Sequence, residues 1–570
     1  MVTRRALMKG GVAASVLASL PASARIYGRR IAVLGGGIAG MTVAHELAER
    51  GFQVSLFERN PIGGGKARSM DVPGTGVSGR RNLPGEHGFR FFPGFYRHLP
   101  DTMARIPVGS GRSAASNLVE ASEFVLSFMG RSDLRVPTNI FASWDDIPNL
   151  LHTLLKTATI GLTVQEVDWF ANRLHVFLTS CDARRLGDWE NVSWWDYTRA
   201  NTLSELARRL LVIGVTRNVV AVRAEQASTR SSALVMIQIL MNALGTGNGL
   251  DRLLNGPTND VWINPWVQHL RSLGVNYQLN STVREITMTS GRISGARVET
   301  PTGMQSVEAD AYVVAFPVEV ARKLLPRDAL TYDPALARLS NLNTEWMNGI
   351  QFYFDRDVKH LHGHANYLDS PWALTSISQP QFWPGVNLAN YGNGTVRGIL
   401  SVDISNWTTP GILFGKPAQS CTKEEVRQEV WAQLLAHFDE PTRAEFSLAN
   451  LVAWHLDPAI SYPTHPSVAV NDEPLLVNTV GSYKNRPAAW TRIPNLFLAG
   501  DYVRTNTDLP CMEGANEAGR RAVNEILLAA GSFAFPCQLW DLEEPSVFLP
   551  DRANDKMRYS LGLKNFYDAA

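Results

Sequence analysis

Gly35, Gly37 and Gly40 fall in the order G-x-G-x-x-G, and an acid, Glu58, follows further along the chain. These residue types in this order suit a dinucleotide. Gly35 permits a tight turn, Gly37 lets backbone N–H groups close on a pyrophosphate, and Gly40 lets helix and strand pack closely. Ile38 and Ala39 open a helix whose positive end would face the diphosphate. Glu58 can accept both ribose hydroxyls of an adenosine and would repel a 2′-phosphate, which disfavours NADP. A second pattern is weaker. His360, His362 and His364 alternate as metal ligands on a strand would, but Gly363 and the lack of a neighbouring acid argue against a metal. Cys181, Cys421, Cys511 and Cys537 form no CxxC pair, so neither a zinc ribbon nor an iron–sulfur site is expected.

The elements that must hold the glycine turn are present. Arg30 to Leu34 is a short apolar run that reads as a buried strand. Met41 to Arg50 has helical spacing, with Met41, Ala44, Leu47 and Ala48 on one face, and Gly51 ends it. Gln53 to Phe57 is a second strand that delivers Glu58 at its end. Strand, glycine turn, helix, strand and acid together predict a Rossmann βαβ unit.

Three further segments carry a resemblance. Arg59 follows Glu58 directly and leads into Gly63-Gly64-Gly65-Lys66-Ala67-Arg68; Gly85 to Tyr96 contains Gly-Glu-His-Gly-Phe-Arg; and Pro494 to Asp501 precedes Met512-Glu513-Gly514-Ala515. In these motifs the chain resembles the flavin-containing amine oxidoreductase superfamily, most of all its phytoene/zeta-carotene desaturase and hydroxysqualene dehydroxylase branch. The resemblance implies FAD as cofactor. It places Arg59, Gly64, Gly65, Lys66 and Arg68 along the diphosphate and ribityl chain, and the backbone of Val283 against the adenine. It also places Gly500 and Asp501 at the ribityl hydroxyls, and Met512, Glu513 and Ala515 at the flavin's electron-accepting end. His87 and Arg90 become the polar groups expected over the flavin ring. One departure narrows the chemistry: amine oxidases of this superfamily carry an aromatic residue just before the Met-Glu-Gly-Ala turn, where this chain has Pro510-Cys511. Without that wall a cage for an amine loses a main contributor.

The expected fold is mixed α/β and α+β: a Rossmann-type FAD-binding domain interleaved with a substrate domain of antiparallel sheet plus helices. Residues 29–100, 260–325 and 480–530 would build the FAD domain, 101–259 and 326–479 the substrate domain, and 531–570 a tail of no assigned role. Residues 101–259 read as mostly helical. The apolar stretch from Ser232 to Leu244 reads as a buried core helix, with a membrane-dipping entry surface as the alternative. The resemblance implies hydride transfer from substrate to flavin N5. The reaction would desaturate, dehydroxylate or isomerise an isoprenoid- or carotenoid-like substrate; an exported amine or amino-acid oxidase is the rival, its cage built from Trp262, Trp266 or Phe352.

The whole chain fits an exported enzyme. At 570 residues with 45% hydrophobic and 19% charged residues it is globular and large enough for two domains. A net charge of +1 offers no basic stripe for nucleic acid. Residues 1–28 read as a twin-arginine signal: Arg4-Arg5, a mildly apolar stretch to Leu20, then Ala22-Ser23-Ala24. Export to the periplasm or cell envelope follows as an expectation, with peripheral membrane contact as a further one.

Overall fold

A computed structural model describes residues 28–137, 144, 147–155, 161–244, 251–358 and 361–568. Five parallel strands form its first sheet, in the order Asn276–Gln278, Gln53–Phe57, Arg30–Leu34, Ala311–Val314, Leu496–Leu498. The central strands are apolar throughout because a parallel sheet is covered on both faces, and Ile31 to Leu34 and Ala311 to Val314 are buried. The Ile38–Glu49 helix packs beside the Met512–Ala529 helix, where Asn516 Nδ2 donates to Thr42 Oγ1 at 2.8 Å. A three-stranded antiparallel sheet, Thr282–Thr289, Arg292–Thr300 and Gly303–Val307, shares the same core through Val283, Ile286, Ile293 and Val298. The nucleotide-type unit is thus assembled from widely separated stretches of chain.

A second sheet of seven strands runs Leu451–Leu456, Asn348–Phe354, Gly398–Ile404, Leu374–Ser378, Gly363–Tyr367, Glu123–Ser127, Leu134–Pro137. Its pairs are antiparallel except Gly363–Tyr367 with Glu123–Ser127. Alternation sorts its faces. Ile350, Phe352 and Phe354 pack with Trp431 and Leu434 of the Lys423–His437 helix, while the other face turns towards the interior of the molecule. The register sets Asn366 opposite Thr375, Thr375 opposite Asp403, and Asp403 opposite Gly349.

Helices Ile147–Leu155, Val164–Thr179, Arg208–Asn218 and Thr229–Ala243 share a core of their own. The Val164–Thr179 helix starts with a capping box between Thr163 and Glu166. Arg208–Asn218 departs from the expected α-helix: it has π geometry, a wider turn seen most often at functional sites. The Thr229–Ala243 helix is buried around most of its circumference, as expected of a core helix. Among the described residues no helix is long and apolar enough to cross a membrane.

The tail has a clear place. Arg50 Nε donates to the Phe535 carbonyl at 2.8 Å, and Trp540 N donates to His98 Nε2 at 3.0 Å. Beyond that, Arg185 pairs with Glu544 at 2.7 Å and Arg184 with Asp555 at 3.0 Å. Residues 531–568 therefore strap the nucleotide unit to the helical layer.

Candidate active site

The Arg30–Leu34 strand ends in the glycine turn. A Cβ at Gly40 would lie 1.9 Å from the Gly35 carbonyl oxygen, so the helix can approach the strand this closely only without a side chain there. Gly37 caps the Ile38–Glu49 helix with no side-chain partner for its first N–H groups, which leaves them for an anion. The second glycine run lies directly against the first. Gly37 bridges to Gly64, and a Cβ at Gly65 would fall 2.8 Å from Gly37 Cα.

Glu58 is buried, and its carboxylate accepts from Gly36 N and Asn60 N, each at 2.9 Å. Burial raises its pKa, with those two N–H groups opposing. Val283 and its neighbours Thr282 and Arg284 border the same end of a cavity of about 740 Å³. At the other end of the cofactor path Gly500 and Asp501 follow the Leu496–Leu498 strand, and Met512 and Ala515 open the C-terminal helix; all four line the cavity. Burial raises the Asp501 carboxyl, with Lys66 the first charge to oppose it.

The other predicted residues have different partners. Lys66 lines the cavity but its ammonium pairs with Glu319 at 2.8 Å and with the Pro474 carbonyl. Arg59 lines it too, and pairs with Glu473 at 2.6 Å. Arg68 lies behind the wall, donating to Glu473 at 2.7 Å and to the Gly65 carbonyl at 2.8 Å. Gly40 is likewise outside the lining, as its packing role requires. Glu513 points away: its carboxylate accepts from the backbone N–H groups of Arg97, His98 and Leu99 at 2.7, 2.7 and 2.8 Å. Its carboxylate therefore caps the His98–Ala104 helix.

His87 and Arg90 do meet at the cavity, within a buried charge network. His87 Nδ1 lies 2.7 Å from Asp457 Oδ2, an oblique ion-pair contact, and 3.6 Å from Glu473 Oε2. Arg90 Nε donates to the Gly88 carbonyl at 3.1 Å and Arg90 Nη1 to the Lys66 carbonyl at 3.3 Å. Burial lowers the Arg90 pKa against the opposing pull of Glu86 and Asp403. Burial would raise Glu473 as well, yet His87, Arg68 and Arg59 together hold it at about 2. Glu86 and Asp403 are less compensated: burial pushes each up to about 7, with Arg90 the leading charge that opposes it.

The acids Glu86, Asp403, Asp457 and Glu473 were not anticipated from sequence. Asp403 left a signal, a lone acid inside the apolar strand Gly398–Ile404; Glu473 and Asp457 left none. The aromatics of the rival cage are elsewhere: Trp262 and Trp266 stack on one another in the nucleotide-side core, and Phe352 packs under the large sheet. None of the three lines the cavity. Cys511 does, as N-cap of the Met512–Ala529 helix, with Sγ accepting from Gly514 N at 3.4 Å. Burial pushes its thiol up to about 12, which keeps it protonated and unreactive. Of the alternating histidines, His362 packs on Phe382 and His364 on Phe89 and Phe91; His360 lies outside the described residues.

This arrangement agrees with what is found among known proteins. The family model for flavin-containing amine oxidoreductases matches residues 38–527. A zeta-carotene desaturase from a Synechocystis species is 25% identical over 524 residues, covering 87% of this chain and 97% of the relative. The 15-cis-phytoene desaturase of Arabidopsis thaliana is 23% identical, covering 90% and 83%. In solved structures, a cyclohexylamine oxidase from Brevibacterium oxydans shares the fold with a TM-score of 0.57 at 14% identity, covering 88% of this chain and 99% of that one. A putrescine oxidase does so with 0.56 at 14%, covering 88% and 98%.

The chain belongs to the flavin-containing amine oxidoreductase family. It is an FAD-dependent oxidoreductase whose relatives by sequence include the zeta-carotene and phytoene desaturases. The residues fit the cofactor: an acid with its oxygens already oriented by backbone N–H groups, two glycine runs back to back, and two helix N-termini facing one cavity. Glu58, the Gly35–Ala39 turn, Gly64, Gly65, Val283, Gly500, Asp501, Met512 and Ala515 are the residues that would hold FAD.

Proposed function

We propose that this enzyme acts on an isoprenoid- or carotenoid-like apolar substrate, desaturating, dehydroxylating or isomerising it. One observation carries the reading. Beyond the cofactor path the cavity continues between the large sheet and the helices, walled by Leu151, Leu154, Phe170, Leu211, Met236 and Ile239. An extended apolar chamber of this kind desolvates a long hydrocarbon. Bound FAD supplies the two-electron acceptor. The protein's own part is to exclude water and orient the substrate, and His87, held by Asp457, fixes the polar end of the chamber. The Pro510-Cys511 pair contributes no aromatic ring of its own before the C-terminal helix, in keeping with this reading.

Anaerobic titration of the purified yellow protein tests it. An isoprenoid should bleach the flavin absorbance; bleaching by small amines alone would sink the proposal. We also propose export through the twin-arginine route, supported by Arg4-Arg5. The leader fused to a reporter should reach the cell envelope, and an Arg4→Lys, Arg5→Lys leader should leave it inside.

A further inference from the structure

The large sheet presents a row of polar side chains to an otherwise oily chamber. Asn366, Thr375 and Asp403 sit directly opposite one another on three adjacent strands, so their Cβ atoms are about 5 Å apart on one face. All three line the cavity, as does His364 two residues before Asn366. Asn366 Oδ1, Thr375 Oγ1, Asp403 Oδ1 and His364 Nε2 are screened from solvent, and none has a hydrogen-bonding partner in the protein. Thr375 and Asp403 are 1% and 6% exposed.

A buried polar atom without a partner costs about 1–3 kcal/mol. Four of them on one wall call for a ligand or an ordered water to satisfy them. The backbone of Gly88 packs against the Gly349 end of the row, so the open side of the row is the one towards Thr375 and Asn366. Gly349 continues the row beside Asp403, and a Cβ at Gly88 would meet Asp403 Oδ1 at 2.8 Å. His364 packs edge-on to Phe89 and tilted against Phe91. Burial lowers its pKa to about 4, so it is a neutral imidazole able to donate or accept. Two alternatives elsewhere in the molecule fall short. His45, Glu49 and His269 cluster as metal ligands might, but Trp266 Nε1 donates to His45 Nδ1, which puts the His45 proton on the nitrogen a metal would need. Exposed Phe533 and Phe535 have no observed occupant.

We infer that the row Asn366–Thr375–Asp403, with His364, is a subsite for an oxygen function, so that the substrate is an isoprenoid alcohol or carbonyl compound rather than a plain hydrocarbon. This rests on the proposed isoprenoid chemistry and narrows it. A hydroxyl here can donate to Asn366 Oδ1 and accept from Thr375 or protonated Asp403.

The test compares geranylgeraniol with its deoxygenated parent hydrocarbon on the FAD-loaded enzyme, following the flavin spectrum anaerobically. The alcohol should bind about 10-fold tighter or more. Thr375→Val should remove most of that preference while leaving the hydrocarbon's affinity unchanged. It should also raise the Tm of the ligand-free protein, because an unpartnered hydroxyl is replaced by an isosteric methyl group; a hydroxyl with a structural hydrogen bond would give the opposite sign. Asn366→Leu gives an independent second variant. Equal binding of the two compounds by the wild type, or equal loss of both in Thr375→Val, would overturn the inference while leaving the isoprenoid reading intact. Binding of neither, with bleaching by amines, would defeat both.

Discussion

Carboxyls that share this site titrate at opposite extremes. Glu473 sits among Arg59, Arg68 and His87 and is held at about 2, whereas Asp403 meets Arg90 on one side but Asp457 on another, and burial takes it to about 7. The consequence for stability has a definite sign. Asp403 keeps its proton in the folded state up to about 7, while the unfolded chain loses it near 3.8. Its contribution is fully present below the lower value and is lost as pH rises towards the upper one. Asp403→Asn should therefore gain stability over the wild type between pH 4 and pH 7, by on the order of 2–4 kcal/mol in denaturant titrations; a pH-independent difference would show that the carboxyl is not so perturbed. Glu58 makes a simpler case. Its oxygens are pre-oriented by Gly36 and Asn60, so Glu58→Ala removes charge-assisted contacts to a ribose, each worth about 1.5–3 kcal/mol. FAD affinity, measured by release of flavin fluorescence on dilution, should fall by roughly 10²- to 10⁴-fold.

Elements explain why some of the site could be read from sequence and some could not. The βαβ unit was legible because its signals are local: an apolar strand, glycines at fixed offsets, a helix of regular period and an acid at the next strand's end. The same was true of Gly500 and Asp501. Side-chain direction was not legible. Glu513 and Arg68 lie in the expected motifs, yet the first caps the His98–Ala104 helix and the second anchors Glu473, because a motif fixes the backbone path and not the partner a side chain finds across the fold. Asp457 and Glu473 join the site only through tertiary packing, from segments with no pattern of their own. The π geometry of Arg208–Asn218 was equally invisible, since apolar spacing does not distinguish it from an α-helix. The role of Glu513 predicts its own test. Glu513→Ala uncaps three N–H groups and should cost about 2 kcal/mol, seen as a lowered Tm, while the flavin spectrum of the folded protein stays as in the wild type.

At the scale of the whole molecule, the strap formed by residues 531–568 holds the two halves in register over the cavity. Its strongest point is the pair Arg184–Asp555, both buried, with Asp555 also accepting from Cys181 N at 2.9 Å. Asp555→Ala takes the buried partner from Arg184 Nε, leaving the guanidinium to Asp188 and the Leu563 carbonyl, and should destabilise by about 3 kcal/mol; a loss below about 1 kcal/mol in thermal unfolding, the range of an exposed pair, would mean that the strap bears little. The sheet that seats the cofactor has another consequence, one of timing. Its edge strand Leu496–Leu498 and Asp501 come from the far end of the chain, while the glycine turn lies near the beginning. The last wall of the flavin's seat exists only once Leu496 to Asp501 have been translated, so a chain halted before Leu496 should emerge colourless. Only a polypeptide translated through its Leu496–Leu498 strand can turn yellow, and flavin retention is a built-in check that synthesis passed this point.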